Sequence, residues 1–245
     1  MKEKRILVAV GALALAAIPT AALAAPDIGS LRKSAAQPES VPFATSELRV
    51  EINSTDGDAG LQVDLDGEPW SSIQIAAPNG RTILDIRTRA QLGTFGLTEL
   101  FSESSEPPFE ELPLEEFKAM FPEGMYTFTG RTVDGKRLTG AAELSHAFPA
   151  GPTVTSPEED ATVDQGALVV AWEGADAPGI DIVAYQVIVT GGATDRTLDA
   201  EMPATARSFT VPADFVDGGS EYKLEVLAIE ASGNQTLTEV PFFTG

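Results

Sequence analysis

Leu168-Val169-Val170-Ala171-Trp172, Tyr185-Gln186-Val187-Ile188-Val189 and Tyr222-Lys223-Leu224-Glu225-Val226-Leu227-Ala228-Ile229 are the stretches whose reading decides the fold. In each run apolar residues recur at every second position, the period of a strand with one buried face. Leu168, Val170 and Trp172 share a face, as do Tyr185, Val187 and Val189, and as do Tyr222, Leu224, Val226 and Ala228. Two sheets pressed together on these faces enclose a dry core, with Trp172, Tyr185 and Tyr222 as interior plugs. Further short runs around Thr153 to Ser156, Thr194 to Asp199, Ser208 to Val211 and Leu237 to Phe243 bring the expected strands to seven, spaced as a sandwich of about 100 residues requires.

Those residues resemble the fibronectin type III family over Gly151 to Gly245. Pro152 and Pro157 precede the first strands, Trp172 ends the second, Tyr185 opens the third, and Tyr222 opens the sixth, six residues after Val216. The resemblance implies a seven-stranded, immunoglobulin-like sandwich in which Tyr222 forms a corner, its hydroxyl bonded to the upstream backbone. The run Gly179 to Tyr185 is similar to the entry of the third strand in bacterial members. No Arg-Gly-Asp triplet is present, so the adhesive activity of some members gains no support.

Working outward, Pro149-Ala150-Gly151-Pro152 marks a short linker. Before it, Leu48, Val50 and Ile52 alternate with Glu47, Arg49 and Glu51, and strand patterns recur at Leu61 to Leu65, Ile73 to Ala76 and Ile83 to Thr88. Asp66-Gly67 and Pro78-Asn79-Gly80 read as the turns between them. Met125 to Thr132 and Arg137 to Phe148 flank Asp134-Gly135, a hairpin signal for a tight turn with two positive-φ residues. Between Gln91 and Glu123 alternation fades into an acidic surface excursion with one short helix from Leu114 to Phe121, started by Pro113 and stopped by Pro122. The expected architecture is all-β, two β-sandwich-like domains with one short helix in the first: residues 43–149 as a β-rich domain and 150–245 as the fibronectin type III-like domain.

At the N-terminus Lys2, Lys4 and Arg5 precede an apolar run from Ile6 to Ile18, then Pro19 and the small-residue site Ala22-Leu23-Ala24. This is the plan of a secretory signal peptide over residues 1–24, too short for a membrane span and followed by a flexible lead-in over 25–42. Cleavage removes three cations and one carboxylate, Glu3, so the net charge moves from −21 to −23. So acidic a surface repels phosphate backbones and anionic headgroups, which argues against nucleic-acid partners and against membrane insertion after cleavage. The chain has no cysteine, hence no disulfide or thiol nucleophile, and cysteine-free export leans towards a bacterial source. The expected location is periplasmic, cell-surface or secreted.

Chemistry-bearing residues are sparse. The one histidine, His146, falls on a strand pattern beside Leu144 and Phe148 and reads as a structural residue, and with no cysteine a zinc site lacks ligands. Neither Gly-x-Ser-x-Gly nor Asp-Thr-Gly or Asp-Ser-Gly occurs. Asp56, Asp58, Asp64 and Asp66 form the densest set of hard oxygen ligands and suit calcium, yet Gly67 stands where an EF-hand loop needs its twelfth-position glutamate, and the alternative is an ordinary polar face and turn. Trp70 reads as a core plug or as an exposed platform for a sugar. With Tyr185 and Tyr222 inward, Ile188, Leu227 and Ile229 point outward, which calls for a cover from the first domain or its acidic excursion, or for a partner or self-association surface, unless they are scattered harmless exposure. The chain thus reads as a non-catalytic exported binding or scaffold protein acting through protein or glycan contacts. Alternatives are an accessory carbohydrate-binding protein and a weak carboxylate-dependent hydrolase.

Overall fold

In the computed structural model, residues 38–164, 166, 168–175 and 177–245 are described; the expected signal peptide and the lead-in through Gln37 lie outside them. The first half contains strands β1 (Ser40–Pro42), β2 (Thr45–Asn53), β3 (Asp58–Ala76), β4 (Thr82–Arg87), β5 (Leu97–Glu103), β6 (Gly124–Thr132) and β7 (Arg137–Leu144). Helix α1 (Ala90–Phe95) lies between β4 and β5, and α2 (Leu114–Met120) between β5 and β6. The second half contains β8 (Thr153–Ser156), β9 (Thr162–Val163), β10 (Val169–Glu173), β11 (Ile182–Gly191), β12 (Arg196–Pro203), β13 (Ser208–Thr210), β14 (Glu221–Glu230) and β15 (Gln235–Thr244). The fold is all-β.

In the second half a sheet of order β13-β10-β8 faces the path β15-β14-β11-β12. Every strand expected after Pro152 is present; β9 is an addition, two residues pairing in parallel with the end of β15. Trp172, Tyr185 and Tyr222 are buried in one core with Val170, Val187, Leu224 and Phe242. The Trp172 and Tyr185 rings lie 5.5 Å apart, and Tyr222 stacks on Phe242 at 5.4 Å. Both tyrosine hydroxyls accept backbone hydrogen bonds, Tyr185 from Ala175 N at 3.0 Å and Tyr222 from Asp217 N at 2.7 Å. That second bond is the expected corner, and with this strand order the half is fibronectin type III-like.

The first half corrects three readings. Leu61 to Leu65 and Ile73 to Ala76 are not separate strands: β3 runs unbroken for 19 residues through Asp66-Gly67. It pairs with β2 and β5 along its first part and with β6 and β4 along its second, the register shifting between Asp66 and Trp70. A strand that changes sheets at a bulge turns the corner of a sandwich without a loop. Gly67 suits the bend because a Cβ there would stand 3.1 Å from Phe43 Cδ1. Second, the stretch after Gln91 holds α1 and β5 as well as the expected α2. β5 escapes the alternation rule because it lies against β3 with Leu100 half-buried and Phe101 exposed, so successive apolar side chains face opposite ways. Third, the β6–β7 turn has one positive-φ residue, Gly135 (φ 93°), with Gly135 N bonded to Thr132 O. The loop is the longer type with a single left-handed glycine.

The two cores, one built on Leu65, Trp70, Ile75, Tyr126 and Phe128 and the other on the tail aromatics, are joined by hydrogen-bonded sheet. β15 pairs in parallel with β2, setting Gln235 opposite Glu51, Thr236 opposite Ile52 and Leu237 opposite Asn53. Buried Asn234 accepts from Val50 N at 2.8 Å and donates to Ser145 O at 3.0 Å and Ala147 O at 3.2 Å. Thr236 Oγ1 donates to Pro149 O at 2.8 Å, so the linker runs along β15. On the other face of β15, Ile188, Leu227 and Leu237 close on one another as a third apolar cluster beside this seam, and Ile229 is half-buried.

Two stability measurements follow from these contacts. Tyr222→Phe leaves Asp217 N without its buried acceptor, and urea unfolding should show a loss of about 1–2 kcal/mol. Asn234→Ala strips an acceptor from Val50 N and a donor from the carbonyls of Ser145 and Ala147, with an expected cost of about 2–3 kcal/mol. Its unfolding curve should also split into two transitions as the halves uncouple.

Candidate binding surface

The four aspartates proposed for calcium do not converge. Asp56 sits in the β2–β3 turn, where its carboxylate accepts from Asn53 Nδ2 at 3.2 Å, and Asp58 opens β3. Asp64 and Asp66 lie six and eight positions along the same extended strand, about 20 Å and more away at a strand's rise per residue. Asp64 faces Glu47 and Phe101, and Asp66 faces Thr45 and Glu99. Their alternation with buried Val63 and Leu65 fits the alternative reading of an ordinary polar strand face.

Carboxylates converge at the seam instead. One oxygen from each of Glu51, Glu103 and Glu106 lies within 4.8 Å of the others. Glu51 is buried and accepts from Gln62 Nε2 at 3.1 Å and from Gln235 Nε2, and the same Gln62 amide donates to Glu103 at 2.8 Å. Glu106 folds over Gly60, where a Cβ would stand 2.6 Å from its Oε1. Desolvation, reinforced by Asp56, Glu51 and Glu103, raises the pKa of nearby Asp58. Desolvation also raises that of Glu239 across the seam, with Lys223 opposing and Glu225 adding to the rise. Nothing local in the sequence links Glu51 to Glu103; the link is made by β3, which pairs with β2 on one side and β5 on the other.

The other singled-out residues are structural. His146 Nε2 lies 2.8 Å from Phe121 O and its backbone N donates to Glu123 at 2.7 Å, tying the exit of β7 to the end of α2. Trp70 is wholly buried, so it offers no platform for a sugar. Ile188 and Leu227 are buried at the seam, which corrects their reading as a free interaction patch with Ile229. Among the described residues no helix is long and apolar enough to cross a membrane.

A surface the sequence reading missed lies at the far end of the first half. Helix α1 buries none of its residues, and Phe95 and Leu92 are 77% and 51% exposed. It starts at Ala90 with φ 51°, a left-handed conformation that costs a non-glycine residue about 1–2 kcal/mol. Gly96 brings the end of the helix against the β6–β7 turn: a Cβ there would stand 2.9 Å from Val133 Cγ1, and Val133 is itself exposed. Exposed arginines stand at the strand ends that lead into this apolar group. Arg87 and Arg131 both oppose Ser72 on β3, and Arg137 opposes Arg131, so three guanidinium side chains leave one sheet face in a row. Arg89 is exposed at the start of α1.

No family model matches the chain, and no curated protein matches it. Among solved structures it is similar to a structure titled "Myokine structure", at 20% identity over 39% of this chain and 97% of that one, TM-score 0.31. It is also similar to the FN1-FN3 domains of chicken CNTN1, at 11% identity over 84% of this chain and 66% of that one, TM-score 0.32. A two-domain fibronectin type III segment from chicken tenascin shows 9% identity over 80% of this chain and 97% of that one, TM-score 0.30. Strand order and the Tyr222 corner carry the fold assignment.

The raised carboxyl groups set a pH dependence. With Asp58 and Glu239 above their ordinary values in the folded state, the folded protein binds more protons than the unfolded chain between the two pKa values. Their contribution therefore favours the fold as pH falls through the folded pKa and is lost as pH rises through it. The melting temperature should climb as pH is lowered from 7 towards about 5. Asp58→Asn should raise it at neutral pH and flatten the climb.

Proposed function

We propose that this protein is a non-catalytic exported scaffold that binds a partner through the end of its first half, by protein or glycan contacts outside the cytoplasm. One observation carries the reading: a short helix that buries nothing, begins in a strained conformation and presents Phe95 and Leu92 to solvent near the turn that holds exposed Val133, with exposed Arg87, Arg131 and Arg137 at the adjoining strand ends. Aromatic and arginine side chains together are what protein interfaces concentrate at their energetic centres. A fibronectin type III-like half joined to the first by hydrogen-bonded sheet supports a scaffolding role, since it fixes where that surface points. The bacterial source and the choice among periplasm, cell surface and medium belong to the same proposal.

A carboxylate-dependent hydrolase has one feature in its favour, the approach of Glu51, Glu103 and Glu106. Glu51 is buried between two amide donors, however, which suits a seam better than proton transfer to a substrate.

Pull-down from native envelope or culture medium with the protein lacking residues 1–24 should capture a partner that Leu92→Ser/Phe95→Ser does not capture. The two proteins should melt at the same temperature, because neither side chain is buried. Equal capture by both would defeat the assignment of this surface.

A further inference from the structure

We infer that the partner of this surface is a second copy of the chain, docked head to tail through the opposite end of the same sandwich. The inference rests on the binding reading above and adds the identity of the partner.

The opposite end is chemically complementary. Met120 and Met125, 49% and 52% exposed, flank the connection from α2 to β6. Around them Glu115, Glu116, Glu123 and Glu143 are exposed, Glu115 holding Lys118 at 2.9 Å; Arg81 is exposed in the β3–β4 turn, and Arg49, paired with Glu47, lines a depression with Glu143. Strand β6 links the two ends. Its outward face carries Met125, Thr127, Thr129 and Arg131 in turn, while Tyr126 and Phe128 point into the core. At one end Met125 is paired across the strands with Glu143, and at the other Arg131 is paired with Arg137. Six residues of strand separate them, about 20 Å.

Two arginines placed directly opposite each other disfavour a sheet, and within the fold Arg131 offsets part of that by donating to Gly135 O at 3.2 Å in the adjoining turn. Apposed to a carboxylate rim, the same pair becomes favourable through charge-assisted hydrogen bonds. The apolar centres match as well, because methionine is unbranched, polarisable and adapts its shape to aromatic and aliphatic neighbours such as Phe95 and Leu92. At the basic end Asp85 engages Arg87, and Glu68 and Asp134 engage Lys136, so the free excess of positive charge is modest and local. The net charge of −21 disfavours an anionic membrane or a nucleic acid at this surface. Repulsion between whole copies is screened beyond about 8 Å at physiological salt, while charges in contact are screened much less. Because the two docking surfaces differ, the contact is heterologous and repeats, giving open rows of molecules.

Sedimentation velocity on the protein lacking residues 1–24, across concentration and salt, tests this. The expected result is a series of species growing with concentration and shrinking at high salt. Phe95→Ser/Arg131→Gln blocks the basic end and Met125→Ser/Glu143→Gln the acidic end, and all four side chains are exposed, so melting temperatures should hold. Each variant alone should need at least about tenfold more protein to associate. Mixed one to one, the variants should form dimers and nothing larger, because each keeps the end the other lacks. A wild-type protein that stays monomeric to about 100 µM overturns the inference. So does association that either variant leaves unchanged, or that mixing fails to restore. If the chain stays monomeric while Leu92→Ser/Phe95→Ser still loses a captured partner, the binding surface stands and only its self-recognition falls; if capture is also unchanged, the surface assignment falls too.

Discussion

A buried backbone N–H must have an acceptor, and for Val50 that acceptor is the side chain of Asn234, 184 residues further along the chain. The rest of the arrangement depends on this need being met. The same amide donates to the carbonyls of Ser145 and Ala147, so one side chain registers β15 against β2 and holds the exit of β7 beside both. The parallel ladder then fixes which carboxylates meet: Gln235 lands opposite Glu51, and its amide supplies one of the donors that make a buried carboxylate tolerable. A short linker alone would restrict two sandwiches; a shared sheet orients them.

Legibility followed the range over which each feature is determined. The strands carrying Trp172, Tyr185 and Tyr222 were readable because alternation and ring size are local properties, and each ring is buried where its parity places it. α2 was readable for the same reason, with Phe117 as its buried contact and prolines on either side. β3 was misread because Asp-Gly signals a turn only if the chain reverses there; here Trp70, just beyond, has a core to enter, and burying it outweighs the local preference. β5 was missed because its Leu100 and Phe101 are adjacent, and parity cannot declare a face when both faces have an apolar claimant. The four aspartates looked like ligands because proximity along a strand was taken for proximity in space. The pairing at the seam could not be read, since nothing near Glu51 announces Gln235; Ile188, Leu227 and Ile229 signalled only that their face needs a cover, not that Leu237 closes on it.

Charge is distributed in a way that stability alone does not explain. Three carboxylates are gathered at the seam of a molecule already strongly acidic, and Asp58 beside them is raised by burial and by its neighbours. At the far end, arginines face one another across β6 and β7 when alternating signs would have served the sheet better. Both are places where a local rule is broken, and such places concentrate where a protein acts rather than where it merely folds. The difference between them lies in their partners: Glu51 and Glu103 are held by amides of Gln62 and Gln235, whereas the arginines are exposed at the strand ends leading to the helix that buries nothing.

The lateral partner of β2 is a strand from the far end of the chain, which bears on the order in which the molecule is made. A ribosome delivers β2 well over a hundred residues before β15, and until then that flank of the first sheet offers free hydrogen-bonding groups to any passing strand. Maturation is therefore gated by synthesis: the early portion can collapse around Trp70, but its border is closed only by a late arrival. A nascent molecule of this kind stays vulnerable throughout that interval, and whatever shelters it in the cell must stay with it until the closing strand emerges.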